Sequence, residues 1–209
     1  MANRPDFSKY LVHFTTDREP VSSADDNHAN AYTQIGAKDR LISILESKKI
    51  NASKMPWTGC RAVCFTECPW SSLIDPTEKY SSYGIGFEKS FIFSRNGSPV
   101  YYVRADQYEK QWWHDHLKPF VTPFWPVYTP SKIKEKINFP LCDFTHEREW
   151  RVPHDLPFEY DNIAFIILKN YTDMAQFPKA FKDAIGREKF ILVDDYKNIE
   201  RLWPVHKYE

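Results

Sequence analysis

The apolar residues of this chain come in short runs separated by polar or proline-containing stretches, and no run approaches membrane-spanning length. Residues 10–15, 61–67, 83–93, 99–103, 150–152, 163–168 and 190–193 read as strands. The first is Tyr10-Leu-Val-His-Phe-Thr15 and the most apolar is Ile163 to Leu168. Asn96-Gly97 predicts a two-residue hairpin turn between the third and fourth of these strands. Helical spacing is clear over 38–49, where Leu41, Ile42, Leu45 and Ile50 recur and Asp39 suits the positive end of a helix dipole. Further helices are expected at 70–80, with a break at Pro76, at 106–116, and near 174–185. Residues 17–31 read as a polar loop, and 199–203 close the fold. Many short strands with few helices imply an α+β fold. One domain spanning 1–209 is expected, with an aromatic and proline-rich excursion at about 112–140 that carries Lys132, Lys134 and Lys136.

Composition narrows the chemistry. Twenty-eight basic residues balance 28 acidic ones, which argues against a general polyanion binder while leaving room for a local basic groove. Aromatics reach 16%, so many rings must be buried or line a pocket. The start of the chain carries charges and Pro5 where a secretory leader has an apolar run, so a cytoplasmic, reducing location is expected. Cys60, Cys64, Cys68 and Cys142 are then thiols. Their spacing is not that of paired zinc ligands, and small buried hydrophobes are the preferred reading. His114 and His116 are two apart, so on a helix they face different sides and make no metal pair. No metal site is expected. The P-loop, the dinucleotide glycine fingerprint, the nucleophile elbow and the zinc-protease helix are all missing from the sequence.

Three segments can carry chemistry. In the first, alternation along a strand puts His13 and Thr15 on one face, where an imidazole and a hydroxyl can bond a ribose and an amide together. The second joins Cys64-Phe65-Thr66-Glu67 to Tyr80 and Tyr83-Gly-Ile-Gly-Phe87. Glycines within a strand leave room for a flat ligand, and neighbouring tyrosines can stack on it. The third runs from Asp143 to Val152 through His146-Glu-Arg-Glu-Trp-Arg151. If extended, it points the Glu147 and Glu149 carboxylates to the same side, with Arg148 and Arg151 available to tune them or hold phosphate. Paired carboxylates suit glycosidic bond cleavage, but a structural salt-bridge cluster explains the same residues equally well.

Together these segments resemble the AbiGi-type abortive-infection proteins. The resemblance rests on His13-Phe14, the helix Leu41 to Leu45, Val63-Cys64-Phe65 with Pro69, Tyr83-Gly84-Ile85-Gly86, Pro99-Val100-Tyr101-Tyr102 and Glu147 to Arg151. The order histidine, tyrosine, glutamate also resembles the ADP-ribosyltransferase fold, a split β-sheet, including the nucleic-acid-modifying DarT toxins. That second resemblance implies an NAD-dependent transferase and toxin. Its catalytic residues would be Glu149, with Glu147 as auxiliary acid, and His13. NAD would be held by His13, Thr15, Phe65, Arg151 and either Tyr80 or Tyr83. RNA or DNA would be the acceptor in preference to protein, with an antitoxin or chaperone as a further partner. The first resemblance implies instead a non-enzymatic antitoxin that binds a partner toxin or phage protein through its aromatic surface.

Overall fold

The structure is a computed structural model that describes residues 8–17, 36–67, 81–108, 110–126, 128, 142–195 and 198. In chain order the elements are β1 (Tyr10–Phe14), α1 (Ala37–Ser47), β2 (Lys49–Ile50), β3 (Ser53–Lys54), β4 (Arg61–Phe65) and β5 (Gly84–Glu88). After these come α2 (Lys89–Ser94), β6 (Ser98–Pro99), β7 (Tyr101–Arg104), α3 (Ala105–Tyr108), β8 (Val121–Phe124), β9 (Trp150–Val152) and β10 (Leu156–Pro157). The chain continues through β11 (Ile163–Leu168), α4 (Tyr171–Gln176), α5 (Lys179–Ile185) and β12 (Phe190–Leu192). The fold is α+β. Its residues group into two compact units: Met1–Leu11 with Ile50–Pro69 and Lys89–Pro157, and Val12–Lys49 with Trp70–Glu88 and Phe158–Glu209.

The first unit is built on the sheet β3-β4-β9-β6. β9 lies between antiparallel neighbours, with Cys64 opposite Arg151 and Phe65 opposite Trp150 on one side, and Ser98 opposite Arg151 on the other. β7 and β8 form a separate parallel pair. Beside it Ala105, Trp125 and Cys142 make a small core against Trp57 and Phe144.

The second unit is built on the sheet β1-β5-β11-β12. β11 is flanked by antiparallel β5 and parallel β12. Ile166, Ile167 and Leu168 are fully buried, which explains an unbroken apolar run in place of alternation. Val12, Ile167 and Val193 form a core with Phe14 and Phe165 packed on it. α1 buries Ala37, Leu41, Ile44 and Leu45 along one stripe. Gly36 has no side chain with which to cap it. The Asp17 carboxylate does so from a distance, accepting the Ala37 N–H at 2.6 Å.

Several expectations need correction. The strand expected over 83–93 stops at Glu88, and α2 follows. Asn96-Gly97 is the end of that helix and not a hairpin turn. Asn96 takes a left-handed φ of 60°, its N–H bonds the Phe93 carbonyl, and the Gly97 N–H reaches back to the Ile92 carbonyl at 2.9 Å. A Cβ at Gly97 would lie 2.4 Å from Ile92 Cγ2.

The strand expected over 99–103 divides at Val100 between two sheets. Among the described residues, the helix expected over 106–116 is reduced to α3 (Ala105–Tyr108), and beyond it Trp113 Nε1 donates to the Tyr108 carbonyl at 3.1 Å. The helix near 174–185 is two helices, since Phe177 precedes Pro178 and is held extended. β8 lies inside the stretch expected as an excursion. Lys132, Lys134, Lys136, the 70–80 helix and the 199–203 segment fall outside the described residues, as do Cys68 and most of the 17–31 loop.

Candidate functional site

The densest arrangement of buried polar chemistry in the first unit surrounds β9. The Glu147-Arg-Glu149 stretch is not extended as expected. Residues Thr145–Glu147 form a single 3-10 turn closed by Arg148 in the left-handed region, with φ 47°. The two carboxylates therefore do not share a strand face. The Glu147 carbonyl accepts the Thr66 hydroxyl at 2.8 Å and the Glu67 N–H at 3.1 Å, which fixes the turn to the end of β4.

Glu149 is committed to Arg151. Arg151 Nε donates to Glu149 Oε1 at 2.7 Å and Nη2 donates to Oε2 at 3.0 Å, a fork-on-fork pair two residues apart. The remaining donors of the buried guanidinium are also spent. Nη1 donates to the Pro119 and Val121 carbonyls at 3.0 and 3.1 Å, and Nη2 to Thr122 Oγ1 at 2.6 Å. All five N–H donors thus have protein acceptors, and none is left to hold a phosphate. Burial works against the Arg151 charge, but the Glu149 carboxylate outweighs it and raises the pKa of the pair's cation.

Tyr102 completes the cluster. Its hydroxyl donates to the Phe144 carbonyl at 3.0 Å and accepts the Glu149 N–H at 3.2 Å, and burial pushes its pKa up to about 12. Opposite Arg151, burial and the Glu149 charge push the Cys64 thiol well above its ordinary range. Phe65 is buried in β4 opposite Trp150.

Sequence reading missed a neighbouring group. Glu67 accepts Trp150 Nε1 at 3.0 Å and pairs with Lys89 at 2.7 Å, while Lys89 lies 5.8 Å from the Trp150 ring centroid. Nothing in the local pattern of Glu67 or Lys89 signals this, because the three residues come from three separate segments.

The remaining expected ligands lie in the second unit. β1 ends at Phe14, one residue before Thr15. Thr15 is buried, and its hydroxyl donates to the Ala37 carbonyl at 2.8 Å while its N–H bonds the Tyr83 carbonyl at 3.0 Å. His13 is half-buried on β1. Tyr83 is joined to Asp173: its hydroxyl donates to Oδ2 at 2.6 Å, and Lys38 donates to Oδ1 at 2.8 Å. The space over the β5 glycines is filled by protein. A Cβ on Gly86 would lie 2.5 Å from Phe165 Cε2 and Cζ, and one on Gly84 would lie 3.1 Å from the His13 carbonyl oxygen. Tyr80 lies outside the described residues.

The Tyr83–Asp173–Lys38 network predicts a pH profile. Burial alone would raise the Asp173 pKa, but Lys38 and Tyr83 outweigh it and hold the carboxyl below its ordinary 3.8. This contribution to stability is present above about pH 4 and is lost as pH falls through the depressed value. Burial and the Asp173 charge together raise the Tyr83 phenol above its ordinary 10. That contribution is present below about pH 10 and is lost as pH rises beyond it. Tyr83→Phe should cost about 1–2 kcal/mol at neutral pH and should flatten part of the alkaline limb in a series of urea unfolding midpoints against pH. An alkaline limb identical to that of the parent protein would show that the phenol is not linked to folding.

Among the described residues, no group of three or more His, Cys, Asp or Glu is placed to hold a metal ion, and no helix is long and apolar enough to cross a membrane.

Residues 42–138 match the model of a family described as "Putative abortive phage resistance protein AbiGi, antitoxin". No curated protein and no solved structure gives a match. The family match overturns the expectation of an NAD-dependent ADP-ribosyltransferase toxin that modifies RNA or DNA, because the matching family is the antitoxin side of such a pair. The alternative expectation, an antitoxin with a toxin partner, is the one the match favours. Over residues 42–138 this chain is similar to the AbiGi family of abortive phage resistance antitoxins.

Proposed function

We propose that the chain is the antitoxin of an abortive phage-resistance pair and acts by binding a partner protein. The observation that carries this reading is the family match over 42–138. Physical support comes from the use to which the charged residues are put. A carboxylate that stabilises positive charge on a substrate has to present its oxygens to that substrate. Both Glu149 oxygens instead bond Arg151, whose other donors hold the 119–122 segment. This is a structural clamp of the kind that holds strands and turns in register, and it suits a binding protein.

The reading is tested by inducing the chain alone, and together with the protein encoded beside it, in a bacterial host. The expected result is normal growth with the chain alone, arrest with the neighbouring protein alone, and recovery when both are present. Arrest by the chain alone would sink the antitoxin reading. So would failure to relieve the neighbour's arrest.

A further inference from the structure

We infer that His114 and His116 form a binding site for a divalent transition-metal ion, with Zn2+ as the ion their spacing fits. The two imidazoles hold the ion and water fills its remaining positions. This inference is independent of the antitoxin reading.

Residues two apart face different sides only if they lie on a helix, and here the helix ends at Tyr108. His114 opens a tight turn in which the Leu117 and Lys118 N–H groups both bond its carbonyl, at 2.9 and 3.0 Å. Both histidines are exposed, and their ring centroids lie 5.3 Å apart at an interplanar angle of 33°. Zinc takes a histidine nitrogen at about 2.0–2.1 Å, and the ring centre sits roughly 1.2 Å behind that nitrogen. Two imidazoles on one tetrahedral ion therefore have centroids about 5.3 Å apart, against about 4.6 Å for neighbouring positions on an octahedral one. The two rings have the tetrahedral separation. Turning an imidazole about χ2 leaves its centre in place, so the separation holds while each ring turns a nitrogen towards the ion.

The turn is held on both sides. Before it, the Trp113 indole N–H donates to the Tyr108 carbonyl at 3.1 Å, and the Trp113 ring stacks on Tyr108 with centroids 6.2 Å apart. After it, the Pro119 and Val121 carbonyls accept from Arg151 at 3.0 and 3.1 Å. The Trp112 ring stands edge-on to His114 at 4.2 Å and limits the positions this imidazole takes. Ligands fixed before the ion arrives lose less freedom on binding it. Asp115, between the histidines in sequence, is paired with Lys118 at 2.7 Å, which leaves the imidazoles as the ligands. Nitrogen ligands select transition metals over Mg2+ and Ca2+, which take oxygen. Two protein ligands are fewer than a structural or catalytic zinc site supplies, so this site exchanges its ion with solution.

The test uses the untagged full chain, stripped of metal with a chelator and titrated with Zn2+ by calorimetry. His114→Ala and His116→Ala should each weaken binding by about tenfold or more, since losing even a supporting partner of a metal ligand costs about 10–100-fold. Both rings are exposed, so the unfolding midpoint without metal should stay where it is. His154→Ala, which removes an exposed histidine elsewhere in the same unit, is the control and should leave binding unchanged. Cu2+ should bind more tightly than Zn2+ and quench the fluorescence of the indole beside His114. Trp112→Phe should remove that quenching while Zn2+ still binds. Zn2+ binding that survives the double substitution His114→Ala and His116→Ala would overturn the inference, as would no binding by the parent chain. A loss confined to one of the two histidines would overturn the pair. Equal affinity for Mg2+ would also overturn it, because the titration would then report an ion atmosphere and not nitrogen ligands.

Discussion

Arg151→Ala should destabilise the protein by about 3–5 kcal/mol, the cost of breaking a buried ion pair by removing one partner. The substitution leaves the Glu149 carboxylate charged, with neither of its guanidinium donors. It also strips the Pro119 and Val121 carbonyls and the Thr122 hydroxyl of the donors they meet. Each buried acceptor left without a donor carries its own desolvation cost. Arg151→Lys should recover only a minor part, because one ammonium cannot reproduce a planar fork that serves four residues. Urea unfolding followed by tryptophan fluorescence gives the comparison. The midpoint should fall sharply for the alanine variant, with a similar slope. Glu149→Gln should fall less, since an amide oxygen still accepts from the guanidinium while the charge is lost. A cost below about 1 kcal/mol for Arg151→Ala would place this pair among ordinary surface ion pairs and would show that it does not clamp this unit.

The second large effect is expected at Gly86. Gly86→Ala should cost about 1–3 kcal/mol, because the added methyl meets the Phe165 ring at 2.5 Å and that ring is packed on the Val12–Ile167–Val193 core. For a chain of this size that is a drop of several degrees in melting temperature. The contact can be checked from the other side. In a Gly86→Ala background, Phe165→Leu opens the space and should restore part of the loss, although the same change in the parent chain leaves a cavity and destabilises it. The two substitutions should therefore be non-additive, as contacting residues are. Independent, additive costs would mean that the ring does not occupy the space over Gly86. The result also bears on function. A glycine that makes room for an internal ring is part of the core, whereas one that makes room for a ligand tolerates alanine in the ligand's absence.

Several elements are legible in the residue pattern alone. α1 follows from the spacing of Leu41 and Leu45, β11 from an apolar run bounded by polar residues, and β9 from the short Trp150–Val152 run. Elsewhere local pattern misleads. The apolar run Phe91-Ile-Phe93 reads as a continuation of β5, yet Ile92 is the one fully buried side chain of a short helix there. Asn-Gly satisfies a left-handed backbone in a hairpin and at a helix end alike, so the dipeptide alone cannot choose between them. The AbiGi resemblance agrees with the family match. The ADP-ribosyltransferase resemblance is a similarity of residue order alone, and order does not report whether a carboxylate faces a substrate or an arginine.

What this sequence determined by itself was its class and several of its elements, because helix and strand periodicity are properties of residues close together in the chain. It also carried the ingredients of the β9 cluster, since Glu149 and Arg151 are two residues apart. Only the tertiary structure decided what those ingredients do. Arg151 finds Pro119, Val121 and Thr122 some thirty residues back, and Tyr83 finds Asp173 ninety residues on. Hydrogen bonds saturate: once a guanidinium has given all five donors to its own fold, its chemistry is settled by register and packing, and no reading of residue types can count donors already spent.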